Sequence, residues 1–195
     1  MLKVPESVLA YHQQPSVRAA VDLLLSKQRP AIPEDLGWGE MQSFYRACLA
    51  ARQTQFEHAM LLEEMWRAVW PIPDRAWTPL PPHKPGRSDL SPDPANIWED
   101  SFGRRFVQPS LALELAVSLN DVTGFQLGIG MWRGKNDEEN LLETEAPDGW
   151  ASEHGYDFIW TQHQIVPLSE DISLEPFKRW TEEAMGLVSR LTKSL

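Results

Sequence analysis

Residues 111–132, LALELAVSLNDVTGFQLGIGMW, decide the fold of this chain. Apolar side chains occupy the odd positions on both sides of NDVTG, whereas the even positions carry Ala, Glu, Ser, Gln, Gly and Trp. A period of two is typical of a β-strand with one buried face. The segment therefore predicts a hairpin of two strands, 111–119 and 125–132. Gly128 and Gly130 leave one face of the second strand bare, so another part of the protein can approach it closely.

Two further stretches suit the same sheet. Aromatic residues crowd the start of Tyr156–Val166, which predicts a third strand. Ile97–Val107 fits two structures. Aromatic residues at steps of four fit a helix, and the alternation of Phe102, Arg104 and Phe106 fits a strand.

Helical periodicity dominates the rest of the chain. Apolar residues three and four apart predict a short helix over 15–26 and a long one from about 39 to 69, which Pro71 ends. Polar residues at 53–55 interrupt the apolar stripe of the long helix, so a kink or a split into two helices is an alternative. A last helix is predicted over Ser173–Leu191, with the serine as its N-cap.

Proline separates the helical part from the sheet. Residues 71–94 hold eight of the sixteen prolines, which favours an extended connector, and Trp77 favours packing of that connector on the protein. We expect one α+β domain over 1–195, in which a helical layer (1–70) packs on a small antiparallel sheet with a C-terminal helix (95–195).

The charge is distributed unevenly. The formal net charge is −10, and residues 1–90 carry ten acidic and ten basic side chains, so the whole excess belongs to residues 91–195. An acidic field repels nucleic acid and membrane surfaces and attracts basic proteins. We therefore expect a protein partner, with a merely well-solvated acidic surface as the alternative, and neither direct nucleic-acid binding nor membrane binding. A homodimer is a further option that the sequence leaves open.

The cellular location is predicted from the segment types that the sequence does not show. No stretch approaches the roughly 20 apolar residues that span a bilayer. The first residues contain no apolar core of signal-peptide length, and the lone Cys48 cannot form an intrachain disulfide. We expect a soluble, cytoplasmic protein.

An acidic run follows the hairpin, and it is the predicted partner-binding site. From residue 137 to residue 157 there is no Lys or Arg, and one of the nine tryptophans, Trp150, lies within it. Tryptophan is a typical interface anchor, although both indoles could instead fold back on the sheet. The candidate partner-binding residues are Trp132, Asp137, Glu138, Glu139, Glu143, Glu145, Asp148, Trp150, Glu153 and His154.

Catalytic patterns are weak by comparison. Glu114 and Asp121 could be nominated as metal-binding carboxylates of a nuclease, but no lysine lies on either strand, and a surface role explains Glu114 better. The histidines form no metal-binding pair, and no nucleophile motif occurs. The remaining acid/base candidates are Glu153, His154 and Asp157, although an exposed polar loop explains the same residues better. We expect no catalytic residue, no metal and no cofactor.

One resemblance adds to this interpretation. The segment GFQLGIGMWRGKND, residues 124–137, resembles the central strand of small bacterial immunity proteins, in particular the immunity protein 52 family. The resemblance covers about thirty residues and carries over no catalytic residue. It implies an α+β protein that binds and neutralises a cognate antibacterial toxin, often a nuclease.

The leading hypothesis is therefore a non-enzymatic immunity protein that covers a basic toxin surface with its acidic, Trp-bearing loop. One alternative is a hydrolase that uses Glu153, His154 and Asp157. Another is a phage or secretion-system assembly adaptor that docks through the 71–94 connector.

Overall fold

The computed structural model describes residues 1–26, 35–80, 101–120, 124–133, 148–150, 160–163 and 168–194. Within these ranges the chain forms four helices and seven strands. The helices are α1 (Glu6–Gln13), α2 (Pro15–Leu25), α3 (Trp38–Val69) and α4 (Glu175–Ser194). The strands are β1 (Leu2–Lys3), β2 (Thr78–Pro79), β3 (Ser101–Val107), β4 (Leu111–Asn120), β5 (Gly124–Arg133), β6 (Trp160–His163) and β7 (Asp171–Ile172).

The predicted hairpin is the centre of an antiparallel sheet with the order β2-β3-β4-β5-β6. β4 and β5 pair along their whole length, from Leu111 opposite Arg133 to Asn120 opposite Gly124. Gly124 has a φ of 71°, a left-handed conformation that glycine adopts without the strain of a Cβ atom. The alternation seen in the sequence therefore corresponds to a real strand pair, and the α+β class is confirmed.

The odd-numbered side chains of the hairpin form the main core. Leu113, Leu115, Leu127 and Ile129 are all buried in it. Burying each of these side chains stabilises the fold by roughly 1.5–3 kcal/mol relative to leaving it exposed. In the stretch that fitted either helix or strand, residues 101–107 form β3, which adds Phe102 and Phe106 to this core.

Two indoles fix α3 on the sheet. Nε1 of Trp66 donates a hydrogen bond to the carbonyl oxygen of Leu115 at 2.8 Å, and Nε1 of Trp70 donates to that of Ala116 at 2.9 Å. The last turn of α3 also accepts a hydrogen bond from α4, because the Thr181 hydroxyl lies 2.6 Å from its final carbonyl oxygen. These bonds position the C-terminal half of α3 between the sheet and α4.

The opposite face of the sheet is buried as well, which corrects the expectation of a half-buried hairpin. Ala112, Ala116, Gly128 and Gly130 are all buried on this face. Small side chains leave room for close packing against a sheet. The burial of both glycines agrees with the close approach that their spacing suggested.

Glu114 lies on this opposite face, and it is not a plain surface residue. Its carboxylate lies 2.6 Å from Nε of Arg105 on the neighbouring strand, and both side chains are mostly buried. A charge-assisted hydrogen bond between arginine and a carboxylate is roughly twice as strong as a neutral one. The pair therefore joins β3 to β4.

The helical layer matches the sequence in part. α2 lies where the first helix was predicted, and α3 is continuous through 53–55, so it is not split into two helices there. α1 was not predicted, and neither was β1, which pairs with β7. At 1.5 Å per residue, the 32 residues of α3 extend about 48 Å.

The predicted connector contributes to the sheet at its start. Thr78 and Pro79 form the edge strand β2, which pairs with β3, and the indole of Trp77 is buried in the main core. Residues 81–94 lie outside the described ranges. In the described part of the chain, no helix is both long and apolar enough to cross a membrane.

Candidate protein-binding surface

Trp132, one of the two predicted anchor residues, is fully buried. Its exposed fraction is 0%, and it packs in a small cluster with Val107, Ala112 and Leu80 on the opposite face of the sheet. The guanidinium of Arg105 lies 5.3 Å from the ring centroid, a cation–π distance. The expected exposure of Trp132 is therefore wrong, and this indole stabilises the sheet.

Trp150, the other predicted anchor, is also buried. Its exposed fraction is 7%, and it belongs to the main core. Gly149 precedes it with a φ of 82°, so a tight turn delivers the indole inward. Asp148, at the start of that turn, is exposed. The other predicted binding residues lie outside the described ranges: Asp137, Glu138, Glu139, Glu143, Glu145, Glu153 and His154.

The tryptophan that is exposed among the described residues is Trp38, at the first position of α3. Its exposed fraction is 75%, and that of Tyr45 is 64%. Met41, Leu49 and Phe56 are exposed on the same helix. At 100° per residue these five side chains fall within about 80° of one another around the helix axis. We call this set, Trp38, Met41, Tyr45, Leu49 and Phe56, the α3 stripe.

The α3 stripe is a different face from the one that packs on α2. Ala51 is buried in a cluster with α1 and α2, and it lies roughly 130° around the helix from the centre of the stripe. Arg52 is exposed within the same arc of the helix, between Leu49 and Phe56, and the exposed polar residues on one flank are Gln42, Arg46 and Gln53. The described rim of the stripe is therefore cationic and amide-rich, in contrast to the acidity of the whole chain.

Further along α3, the same face is covered by the sheet. Glu63 continues the line of the stripe, and its side chain is buried. It pairs with Arg67 one turn on and lies 4.0 Å from Arg104 of β3. The α3 stripe is thus the part of this helix face that extends beyond the edge of the sheet.

The size of the α3 stripe is typical of an interface. Whole aromatic side chains present 150–250 Å² each, so the five partly exposed residues offer on the order of 500 Å² of apolar surface, which Arg52 interrupts before Phe56. That is at the upper end for the largest apolar patch of an ordinary monomer. Exposed Trp and Tyr are also the residue types that most often dominate binding energy.

A second group of polar residues lies where α1, α2 and α3 meet. The Ser7 hydroxyl donates a hydrogen bond to the carboxylate of Glu57, and the Tyr11 hydroxyl lies 3.0 Å from that of Asp22. These are contacts between helices. They tie α1 to α3 and to α2, and a structural role accounts for them.

His58 is the titratable residue of this helical layer whose pKa is shifted most clearly. It is buried, and its ring stacks on that of His12 with centroids 5.3 Å apart. Burial, and secondarily the nearby imidazole of His12, lower the pKa of His58 to about 3. A histidine with so low a pKa is neutral near pH 7.

In the described ranges, no three or more His, Cys, Asp or Glu side chains are grouped to hold a metal ion.

Comparisons with known proteins identify no relative of this chain. No family model matches the chain, and no curated protein or solved structure is similar to it at a significant level. The geometry of the described residues is therefore the basis for a functional interpretation.

The sequence does contain a signal for the α3 stripe. The first half of α3 carries apolar residues on two flanks, whereas packing on one layer needs only one. Phe44, Cys48 and Ala51 follow the flank that faces the helical layer, and Trp38 and Tyr45 follow the other. An amphipathic helix with a second aromatic stripe indicates a second contact surface.

Proposed function

We propose that this chain is a non-enzymatic protein-binding protein. The observation that carries the proposal is the α3 stripe, an exposed row of aromatic and aliphatic side chains on a rigid helix. Such a row costs free energy in water and gains it when a partner covers it. Because the row lies on a continuous helix whose first half packs on α2 through Ala51, it is preformed, which lowers the entropy cost of binding.

In its specific form, the proposal is that the chain neutralises a basic antibacterial toxin. Its support is the charge of residues 91–195, which carry eighteen acidic and eight basic side chains, together with the run free of Lys and Arg from 137 to 157. Complementary charge of this kind speeds association and selects the partner. The acidic run would meet the toxin, while the α3 stripe provides a separate apolar surface.

The test is isolation of the partner by cross-linking in the native cell, followed by calorimetric titration of the purified pair at two salt concentrations. We expect a basic protein whose enzymatic activity falls when this chain binds. A variant with Glu138, Glu139, Glu143 and Glu145 changed to Lys should bind it at least about 10-fold more weakly and lose much of the salt dependence.

The matched control reverses charge elsewhere: Glu175, Glu182 and Glu183 of α4 are changed to Lys. These residues are exposed and belong to the described surface. Equal effects of the two charge reversals would show that only the overall field matters. A partner that is not basic, or wild-type affinity in the 138–145 variant, would contradict the toxin-neutralising form of the proposal.

A further inference from the structure

We propose that the α3 stripe is the interface of a homodimer, in which the first halves of two α3 helices pack antiparallel about a two-fold axis. This inference rests on the proposed function only in taking the stripe to be an interface, and it names a second copy of this chain as the occupant. An isologous two-fold interface is the commonest way in which a protein contacts itself.

The spacing of the stripe is self-complementary. Trp38 and Phe56 lie nine residues on either side of Ala47, and Tyr45 and Leu49 lie two residues on either side of it. When two such helices run antiparallel with the axis at the level of Ala47, Trp38 of one copy meets Phe56 of the other. Tyr45 likewise meets Leu49 of the other copy. Each large ring therefore faces an apolar partner, and no ring is left over.

The polar residues beside the stripe tolerate the same register. Arg52 lies five residues beyond Ala47 and Met41 six residues before it, on the same side of the stripe, so the guanidinium of one copy faces Met41 of the other and not a second cation. Arg46 lies roughly 90° from the centre of the stripe, so its side chain can stay in solvent beside the contact. The carboxylate of Glu40 caps the start of α3, where it accepts a hydrogen bond from the Gly37 amide at 2.9 Å.

The area fits a dimer. The five side chains of the stripe contribute on the order of 1,000 Å² from two copies, and the flanking polar side chains bring the total into the range of roughly 1,200–2,000 Å² that specific interfaces bury. The helix segment from Trp38 to Phe56 is about 27 Å long, which gives room for five turns of contact.

The first experiment measures molar mass by light scattering during size-exclusion chromatography, over protein concentrations from 1 to several hundred micromolar. We expect wild type to dimerise. Changing Trp38 and Tyr45 together to Ala should weaken dimerisation at least about 100-fold, since these rings lie where binding energy concentrates. Both positions are exposed on a helix and alanine favours helix, so the variant should fold.

The control removes exposed apolar side chains outside the stripe, by changing Leu23 and Ile72 to Ala. This variant should dimerise as wild type does. A wild type that stays monomeric throughout the range would overturn the homodimer, and so would a Trp38/Tyr45 variant that dimerises normally. Monomeric wild type that nevertheless binds a different protein through the stripe would also overturn it while leaving the proposed function intact.

Orientation is tested with spin labels at single cysteines, in a background where Cys48 is changed to Ala. The antiparallel arrangement separates two labels along the helix axis by about 24 Å at position 39 and by about 9 Å at position 50. Electron paramagnetic resonance should therefore give a clearly longer distance for Gly39→Cys than for Ala50→Cys. Equal distances at the two positions would indicate parallel helices and would overturn the proposed register.

Discussion

The buried histidine of α3 makes the stability of this protein depend on pH. His58 has a pKa of about 3 in the folded protein, against the ordinary value of 6.5, because burial disfavours the imidazolium. Between pH 3 and 6.5 the unfolded chain therefore binds a proton that the folded chain does not. The sign follows directly: the free energy of unfolding falls as the pH is lowered through 6.5.

The magnitude is large enough to measure. Between pH 7.5 and pH 5, linkage with these two pKa values removes about 2 kcal/mol of stability, and the limit below pH 3 is about 5 kcal/mol. Urea unfolding at the two pH values gives the difference directly. Because a His58→Leu variant lacks the titrating group, its loss between pH 7.5 and 5 should be smaller by about 2 kcal/mol.

Two results would contradict the lowered pKa of His58 and its effect on stability. One is a His58 resonance that titrates near pH 6.5 in the folded protein, followed by nuclear magnetic resonance. The other is an unchanged pH dependence in His58→Leu. A His12→Gln variant separates the causes, since burial is the larger one and His58 should keep most of its lowered pKa when the stacked imidazole is removed.

Two further substitutions test the packing of the sheet by chemical unfolding. A Cβ atom at Gly103 would lie 2.9 Å from Oε1 of Glu114, so Gly103→Ala must displace this carboxylate against its bond to Arg105 and should destabilise the fold by at most about 1 kcal/mol. Gly39→Ala, the control at an open helical position, should be neutral or stabilising by up to about 1 kcal/mol. Trp70→Phe removes the hydrogen bond to the Ala116 carbonyl and should cost about 1–2 kcal/mol, whereas an unchanged unfolding midpoint would show that this bond contributes nothing.

The hairpin was predictable because its information is local. A period of two over 111–119 and 125–132 places every odd side chain on one face, whichever layer covers that face. The helical nature of α3 was predictable for a similar reason, since its apolar residues recur at three and four until Pro71. The choice between helix and strand at Phe102 was not local. It depended on pairing with β4, which brings β3 into the sheet.

The exposure of the tryptophans could not be predicted from their neighbours in the chain. Trp132 stands beside glycine and charged residues, yet it lies on a sheet face that is also buried. The small residues of that face, Ala112, Ala116 and Gly128, were the available signal for close packing. Trp38 begins a helix that looks amphipathic, and its exposure depends on where the sheet ends along α3, a property of the tertiary structure.

The central claim is that the α3 stripe becomes covered when the protein associates. Hydroxyl-radical footprinting measures the solvent exposure of each side chain separately. We expect oxidation of Trp38 and Tyr45 to fall several-fold between dilute and concentrated protein, while Ile72, exposed but outside the stripe, reacts equally at both concentrations. Equal oxidation of Trp38 and Tyr45 at all concentrations, and in the presence of the isolated partner, would contradict it.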